Sequence, residues 1–228
     1  MKVFSSPAVK KALDEVIAVC QQESGISVEA VFEPTSQLLK RIDAGESFDV
    51  MIAVTESFRT LTPVIDPSTL TPIARAGIGV AVAPDVPAPD ISTVESFVRT
   101  ITAARSVAYS GTGASGAYFA TLLDKLGLTE DVGASATIVD KGYVAQAVVT
   151  GNADVAIQQL SELLFVPQAQ IVGPLPAELQ HYTDFSAAVS AQSSDPAQAE
   201  SFANFLTSTT AQGAYVQTML ELPTTPAH

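Results

Sequence analysis

A β-strand, a glycine-rich turn and an α-helix follow one another in residues 106–127, which read SVAYSGTGASGAYFATLLDKLG. The apolar run 106–109 predicts the strand, and the amphipathic run 114–126, closed by Gly127, predicts the helix. Short apolar runs alternate with amphipathic stretches on both sides of this segment. Such an order is typical of α/β folds, in which mostly parallel strands bind ligands at their carboxyl ends.

The same patterns assign elements to the rest of the chain. Further strands are predicted at 3–5, 27–32, 49–53, 74–83, 136–139, 153–158, 171–175 and 185–189. Further helices are predicted at 8–23, 35–44, 61–65, 92–104, 143–150, 196–206 and 211–219, with another helix beginning near Ser161. The long apolar strand 74–83 is where we expect the chain to cross into a second lobe.

The charge balance excludes some partners. The net charge is −13 and the 11 basic residues are scattered, so the chain lacks the basic patch that nucleic acids require. An acidic protein that binds an anion must use local dipoles and one or two well-placed cations. We therefore expect no nucleic acid as a partner. A small anionic ligand and a monomeric state are separate expectations.

The content of cysteine, histidine and apolar runs limits cofactors and localisation. One cysteine, Cys20, and two histidines, His181 and His228, predict no disulfide, no metal site and no cofactor. No apolar run approaches the roughly 20 residues of a membrane span. The chain opens directly on a strand. We expect a periplasmic protein if a signal peptide was trimmed, and otherwise a cytoplasmic one.

The glycine-rich turn has three interpretations. Gly111-Thr112-Gly113-Ala114-Ser115-Gly116 fits G-x-G-x-x-G between a strand and a helix, and Asp140 can serve as the ribose-binding acid of a dinucleotide site. Alternatively, backbone N–H groups at a helix N-terminus, with the hydroxyls of Ser110, Thr112 and Ser115, form an anion cradle. A tight turn with a Ser/Thr cap is the structural alternative.

Hydroxyl residues also follow two earlier strands. Ser5 and Ser6 precede Pro7, and Thr35 and Ser36 follow Pro34, each pair at the start of a predicted helix. Helix capping alone accounts for either pair. If these helix N-termini converge with the glycine-rich turn of the other lobe, they form one binding site.

Polar residues at two further strand ends complete the candidates. Lys141 and Gly142 follow Asp140, and the Lys141 ammonium can neutralise a carboxylate. Gln159 can donate its amide to ligand oxygens, whereas Glu162 is expected only to stabilise a helix start. Carboxylates at strand ends, including Glu33 and Asp140, are possible bases, but no catalytic constellation is present.

Four ordered segments carry a family resemblance. They are residues 3–7 (VFSSP), 44–50 (AGESFDV), 151–156 (GNADVA) and 202–208 (FANFLTS). The ordered set resembles ModA-type, molybdate-binding periplasmic proteins within the type II solute-binding proteins, a superfamily that also includes an aconitate isomerase. The resemblance implies two lobes, each a mostly parallel sheet flanked by helices, joined by two crossover strands and closing on ligand like a hinge. Lobe 1 would comprise residues 1–79 and 188–228, and lobe 2 residues 80–187.

The resemblance also implies a site and a ligand class. By position, the ligand contacts are Ser5, Ser6, Thr35, Ser36, Ser110, Gly111, Thr112, Gly113, Ser115, Lys141, Gly142 and Gln159. The turn at residues 33–36 and the missing tyrosine near Gln159 depart from the oxyanion binders. They favour an organic di- or tricarboxylate over molybdate, delivered to an ABC transporter permease. The alternative function is an isomerase of an unsaturated polycarboxylate, with Asp140, Lys141 and Glu33 as catalytic residues.

Overall fold

The computed structural model describes residues 1–224, which form two units. The terminal unit comprises Met1–Ala76 and the chain from Asp184 onward, and the central unit comprises Gly77–Thr183. The strands are β1 (Lys2–Ser5), β2 (Glu29–Phe32), β3 (Val50–Val54), β4 (Thr71–Val82), β5 (Val107–Ser110), β6 (Thr137–Val139), β7 (Val155–Gln159), β8 (Gln170–Pro174) and β9 (Tyr182–Val189). The helices are α1 (Lys10–Ser24), α2 (Thr35–Asp43), α3 (Val94–Ala103), α4 (Ala114–Lys125), α5 (Gln146–Val149), α6 (Leu160–Leu163), α7 (Pro196–Phe205) and α8 (Thr209–Gln217). The chain passes between the units within β4 and β9.

The terminal unit is built on a sheet with helices on both faces. Strand β1 pairs in parallel with β2 and β3, and β3 pairs antiparallel with β9. Val3 packs with α1, α7 and α8 on one face, whereas Phe4 packs with Leu38 of α2 on the other. This alternation follows from the two-residue period of a strand. Helix α1 ends where Gly25 adopts a φ of 73° and its N–H bonds the Gln21 carbonyl oxygen.

The central unit repeats this arrangement. Strand β5 lies between β6 and β7 and pairs in parallel with both. Strand β4 pairs antiparallel with β7 and β8. Phe97 of α3 and Phe119 of α4 are fully buried on one face, where each contributes roughly 2–3 kcal/mol. Helices α5 and α6 pack on the other face. None of the helices within residues 1–224 has the length and apolar character needed to cross a bilayer.

Two predicted helices differ from the structure. The helix predicted at 61–65 is wrong: the helical turn is a 3-10 turn at Thr55–Thr60, and Ile65 instead forms a β-bridge to Ser190. The helix predicted at 143–150 is limited to α5. The first residues of the predicted helix are not helical, because the Val144 N–H donates to the side chain of Gln158, at Oε1, over 2.9 Å.

Candidate functional site

In the terminal unit, the carboxyl ends of β1, β2 and β3 lie at one edge of the sheet. Ser5 pairs with Phe32 on one side and with Ile52 on the other, so it sits between the ends of the two neighbouring strands. Ser5 is fully buried and its hydroxyl donates to the Ser6 carbonyl oxygen over 3.2 Å. The Ser6 hydroxyl accepts from the Ala8 N–H at 3.4 Å, the geometry of a helix cap. Capping by Ser6 therefore stands beside its candidate role in binding.

Thr35 and Ser36 begin α2 at the same edge. Thr35 Oγ1 accepts from the Val54 N–H over 3.2 Å, which fastens the start of α2 to the end of β3. Ser36 is exposed. Glu33, just before the helix, holds an ion pair of 3.2 Å with Arg41. As a base, Glu33 would have to act while it is paired with the Arg41 guanidinium.

Sequence reasoning missed a hydroxyl pair at the end of β3. Thr55 Oγ1 and Ser186 Oγ lie 2.8 Å apart, and Ser186 is fully buried. Thr55 follows a buried strand directly, which is the signal that also singled out Ser5 and Ser110. Ser186 lies in the middle of β9, and its position near Thr55 depends on an antiparallel pairing that the local sequence does not reveal.

In the central unit, the glycine-rich turn follows β5, and two of its backbone N–H groups form hydrogen bonds within the turn. Ser110 Oγ accepts from the N–H groups of Thr112 at 3.3 Å and Gly113 at 2.9 Å. Two of the expected cradle donors are thus already satisfied by Ser110. The first-turn N–H groups of α4, from Ala114 through Gly116, remain without carbonyl partners in the helix. An anion here would bind these groups or displace the Ser110 hydroxyl.

The outer glycines of the turn are required by close packing. A Cβ on Gly116 would lie 1.8 Å from the Ser110 carbonyl oxygen, so only glycine lets α4 approach β5 this closely. A Cβ on Gly111 would lie 2.6 Å from Asp140 Oδ1. The Asp140 carboxylate therefore lies directly against the turn, as the strand pairing of Ser110 with Val139 requires.

The turn after β6 presents a cation. Asp140, Lys141 and Gly142 are all exposed, and Gly142 has a φ of 86° that favours glycine. Within residues 1–224, no acidic group lies within salt-bridge distance of Lys141. Its ammonium group stays available to an anion at the edge where the glycine-rich turn lies.

The end of β7 carries buried polar groups, because β7 is parallel to β5 and ends at the same edge. Gln159 is 3% exposed, and among the described residues its Nε2 has no hydrogen-bond partner. The fully buried Ser161 Oγ is equally unpartnered there. A buried amide donor without an acceptor costs free energy, which is why such groups are often found at binding sites.

Glu162 differs from its predicted role. A carboxylate stabilised by a helix N-terminus would have a lowered pKa. Instead, burial raises the pKa of Glu162 from 4.5 to about 7, opposed by a hydrogen bond from the Gln158 side chain. The interpretation as a helix-stabilising charge is therefore wrong, since α6 has only four residues and the carboxyl is desolvated. Only the assembled fold shows that the carboxyl is desolvated.

The two units and their connections define a type II solute-binding fold of the ModA-like class. The chain resembles the periplasmic molybdate-binding protein of Azotobacter vinelandii with a TM-score of 0.82 and 17% identity, covering 98% of this chain and 100% of that one. It also resembles the PEB3 protein with bound L-phospholactate, with a TM-score of 0.73 and 12% identity over 98% and 100% of the two chains. The predicted fold class is confirmed.

The sequence comparisons give the family. Residues 1–218 match the family described as bacterial extracellular solute-binding protein, and the chain belongs to it. An aconitate isomerase of a Pseudomonas species is 30% identical over 216 residues, which cover 91% of this chain and 82% of the relative.

Proposed function

We propose that this protein captures a small organic anion, a di- or tricarboxylate, with the loops at the carboxyl ends of its strands. One feature carries the proposal: within residues 1–224, β5, β6 and β7 bring several hydrogen-bond donors and a cation to one edge, next to the Asp140 carboxylate. These are the first turn of α4, the unpaired Lys141 ammonium and the unsatisfied Gln159 amide. Amides at a helix start and a lysine are the groups that bind carboxylates.

The terminal unit has its own candidate residues in this proposal. Ser5, Ser6, Thr35 and Ser36 are the candidates, all at the carboxyl ends of β1 and β2. We expect the units to close on the ligand, which is the usual motion of solute-binding proteins. Delivery to an ABC transporter permease is part of this proposal, and the match to the extracellular solute-binding family supports it.

An organic acid is favoured over molybdate by one relative. The isomerase relative acts on aconitate, a tricarboxylate. Carboxylates also suit Lys141, because a charge-assisted hydrogen bond to an ammonium contributes about 1.5–3 kcal/mol.

Thermal unfolding with added anions tests the proposal. At a hundredfold excess over Kd, a ligand stabilises the folded protein by about 2.7 kcal/mol, so the bound carboxylate should raise Tm in a concentration-dependent way. The panel should contain succinate, citrate, tricarballylate and both aconitates, with molybdate and sulfate for comparison. If no carboxylate in the panel shifts Tm, the proposal is wrong.

A matched pair of lysine variants locates the site. Lys141→Ala should weaken carboxylate binding by about 10- to 100-fold. Lys125→Ala is the control, because Lys125 is also exposed and lies at the opposite end of α4. Equal affinities for the two variants in a calorimetric titration would exclude the edge of the central unit as the binding site.

An isomerase is the second candidate, and the position of Asp140 favours it. This carboxylate lies against Gly111, where it can take a proton from a carbon beside a ligand carboxylate, while Lys141 stabilises the negative charge that develops. trans-Aconitate in heavy water should then isomerise with deuterium uptake, and Asp140→Asn should stop turnover while it leaves binding intact. An NMR spectrum of trans-aconitate that stays unchanged would leave binding as the only function.

A further inference from the structure

The side chain of Gln180 continues the hydrogen bonding of β4 beyond the pairing of that strand with β8. The Ile78 N–H donates to Gln180 Oε1 over 2.8 Å, and Gln180 Nε2 donates to the Ile78 carbonyl oxygen over 2.9 Å. That oxygen also accepts from the Leu175 N–H over 3.1 Å. Strand β8 pairs with β4 only from Gly79 onward, so the Gln180 amide bonds the backbone of β4 just outside that register, as a neighbouring strand would.

These bonds lie where the chain enters and leaves the central unit. Gly77 is the first residue of that unit and Thr183 is the last. Gln180 Oε1 also accepts from the His181 N–H over 2.9 Å, which fixes the amide on the segment that leaves the unit. A Cβ on Gly77 would lie 3.3 Å from Gln180 Nε2, so the strand that enters passes close to the same amide. The two crossover segments are therefore fastened to each other within the central unit.

Helix α4 is attached to the same segment through Tyr118. The Tyr118 hydroxyl donates to the Leu179 carbonyl oxygen over 2.9 Å. The Tyr118 ring also stacks on the His181 ring, with centroids 4.4 Å apart and planes inclined by 10°. Because α4 begins at the glycine-rich turn, its first-turn N–H groups, the proposed anion donors, are joined through Tyr118 to the segment that holds β4.

We infer that Gln180 is a positioning residue for ligand closure, because its amide and Tyr118 join α4, β4 at Ile78 and residues 179–181 into one piece. The inference rests on the proposed function, in which the units close on the ligand. A ligand oxygen bound at the start of α4 acts on a piece that also contains both crossover segments. Such contiguous packing and hydrogen bonding is what carries coupling from a binding site to a hinge. Since the piece is ordered before the ligand arrives, binding spends little free energy on ordering it.

Hydrogen exchange followed by NMR tests the connection in the absence of ligand. In Gln180→Ala, the amides of Ile78 and His181 lose their shared acceptor. They should exchange about fivefold to tenfold faster than in wild type, which is the effect of losing one hydrogen bond. Gln168→Ala is the matched control, because Gln168 is an exposed glutamine of the same unit. It should leave both exchange rates unchanged, and unchanged rates in Gln180→Ala would overturn the inference.

A double-mutant cycle in calorimetric titration with tricarballylate tests the effect on binding. Gln180→Ala and Tyr118→Phe should each weaken binding by about fivefold or more, since the loosened segment must then be ordered when the ligand binds. Tyr118→Phe keeps the stacked ring and removes only the hydroxyl that bonds Leu179. Both substitutions break the same chain of contacts, so the double variant should lose no more affinity than the weaker-binding single variant. Residues that only stabilise the fold would lower Tm and leave the affinity of the folded protein unchanged.

A second variant keeps the cycle informative. If Gln180→Ala does not fold, Gln180→Glu takes its place, since an ionised carboxylate can accept from the Ile78 N–H but cannot donate to the Ile78 carbonyl oxygen. Wild-type affinity in both single variants, or losses that simply add in the double variant, would overturn the role of Gln180 while carboxylate binding itself stands. A wild-type protein that binds neither tricarballylate nor trans-aconitate would refute the proposed function, and this inference with it.

Discussion

The Glu162→Gln variant should be more stable than wild type at alkaline pH and equally stable in acid. The pKa of Glu162 rises from 4.5 to about 7 on folding, so between these values the folded state binds a proton that the unfolded state has released. Stability therefore falls as the pH rises through this window. The full increase corresponds to about 3 kcal/mol. This value is an upper limit, since Glu162 keeps some accessible surface.

Glutamine has nearly the shape of glutamate and carries no charge, so the variant avoids this loss. Far-ultraviolet circular dichroism should follow urea unfolding from pH 4.5 to 8.5, because the chain has no tryptophan. The difference between variant and wild type should be near zero at pH 4.5 and reach as much as about 3 kcal/mol at pH 8.5. The exposed Glu178→Gln corrects for other titrating groups. A difference that does not change with pH would refute the assignment of a desolvated carboxyl.

Two further substitutions test the packing around the proposed site and the terminal core. Gly116→Ala should cost several kcal/mol or prevent folding of the central unit, because its Cβ would lie 1.8 Å from the Ser110 carbonyl oxygen. Gly213→Ala, in α8 with no atom within 4 Å of its Cβ, is the control and should gain up to about 1 kcal/mol in thermal unfolding. Tyr215→Phe removes a buried hydroxyl that donates to the Leu206 carbonyl oxygen over 2.9 Å, and should cost about 1–2 kcal/mol in urea unfolding. An unchanged midpoint would mean that water satisfies that carbonyl.

Local sequence signals placed most elements because they act over a few residues. The strand, turn and helix at 106–127 were predicted within two residues of β5 and α4, and Gly25 ended α1 as expected. The two errors arose where tertiary contacts decide the backbone. The N–H of Val144 bonds a side chain 14 residues away, so the helix predicted at 143–150 begins late. The apolar residues at 61–65 do not form the face of a helix. Leu61 and Ile65 are buried in the core, and Ile65 also forms a β-bridge to Ser190.

The candidate site was predictable in part, for a related reason. Residues that directly follow strands can be read from a sequence, and in parallel sheets their position at one edge follows from the fold class. This logic selected Ser5, Ser110, Lys141 and Gln159 as candidates. It could not find Ser186 in the middle of a strand, nor the desolvation of Glu162, since both depend on neighbours distant in sequence.

The self-closed glycine-rich turn explains how an acidic protein can bind an anion without a basic field. Ser110 Oγ occupies two N–H groups of the turn, as a ligand oxygen would, so the turn keeps its shape before a ligand arrives. A preorganised site spends less binding free energy on ordering its donors. With a net charge of −13, the chain would attract the proposed anion only over short distances, near Lys141 and the α4 N–H groups.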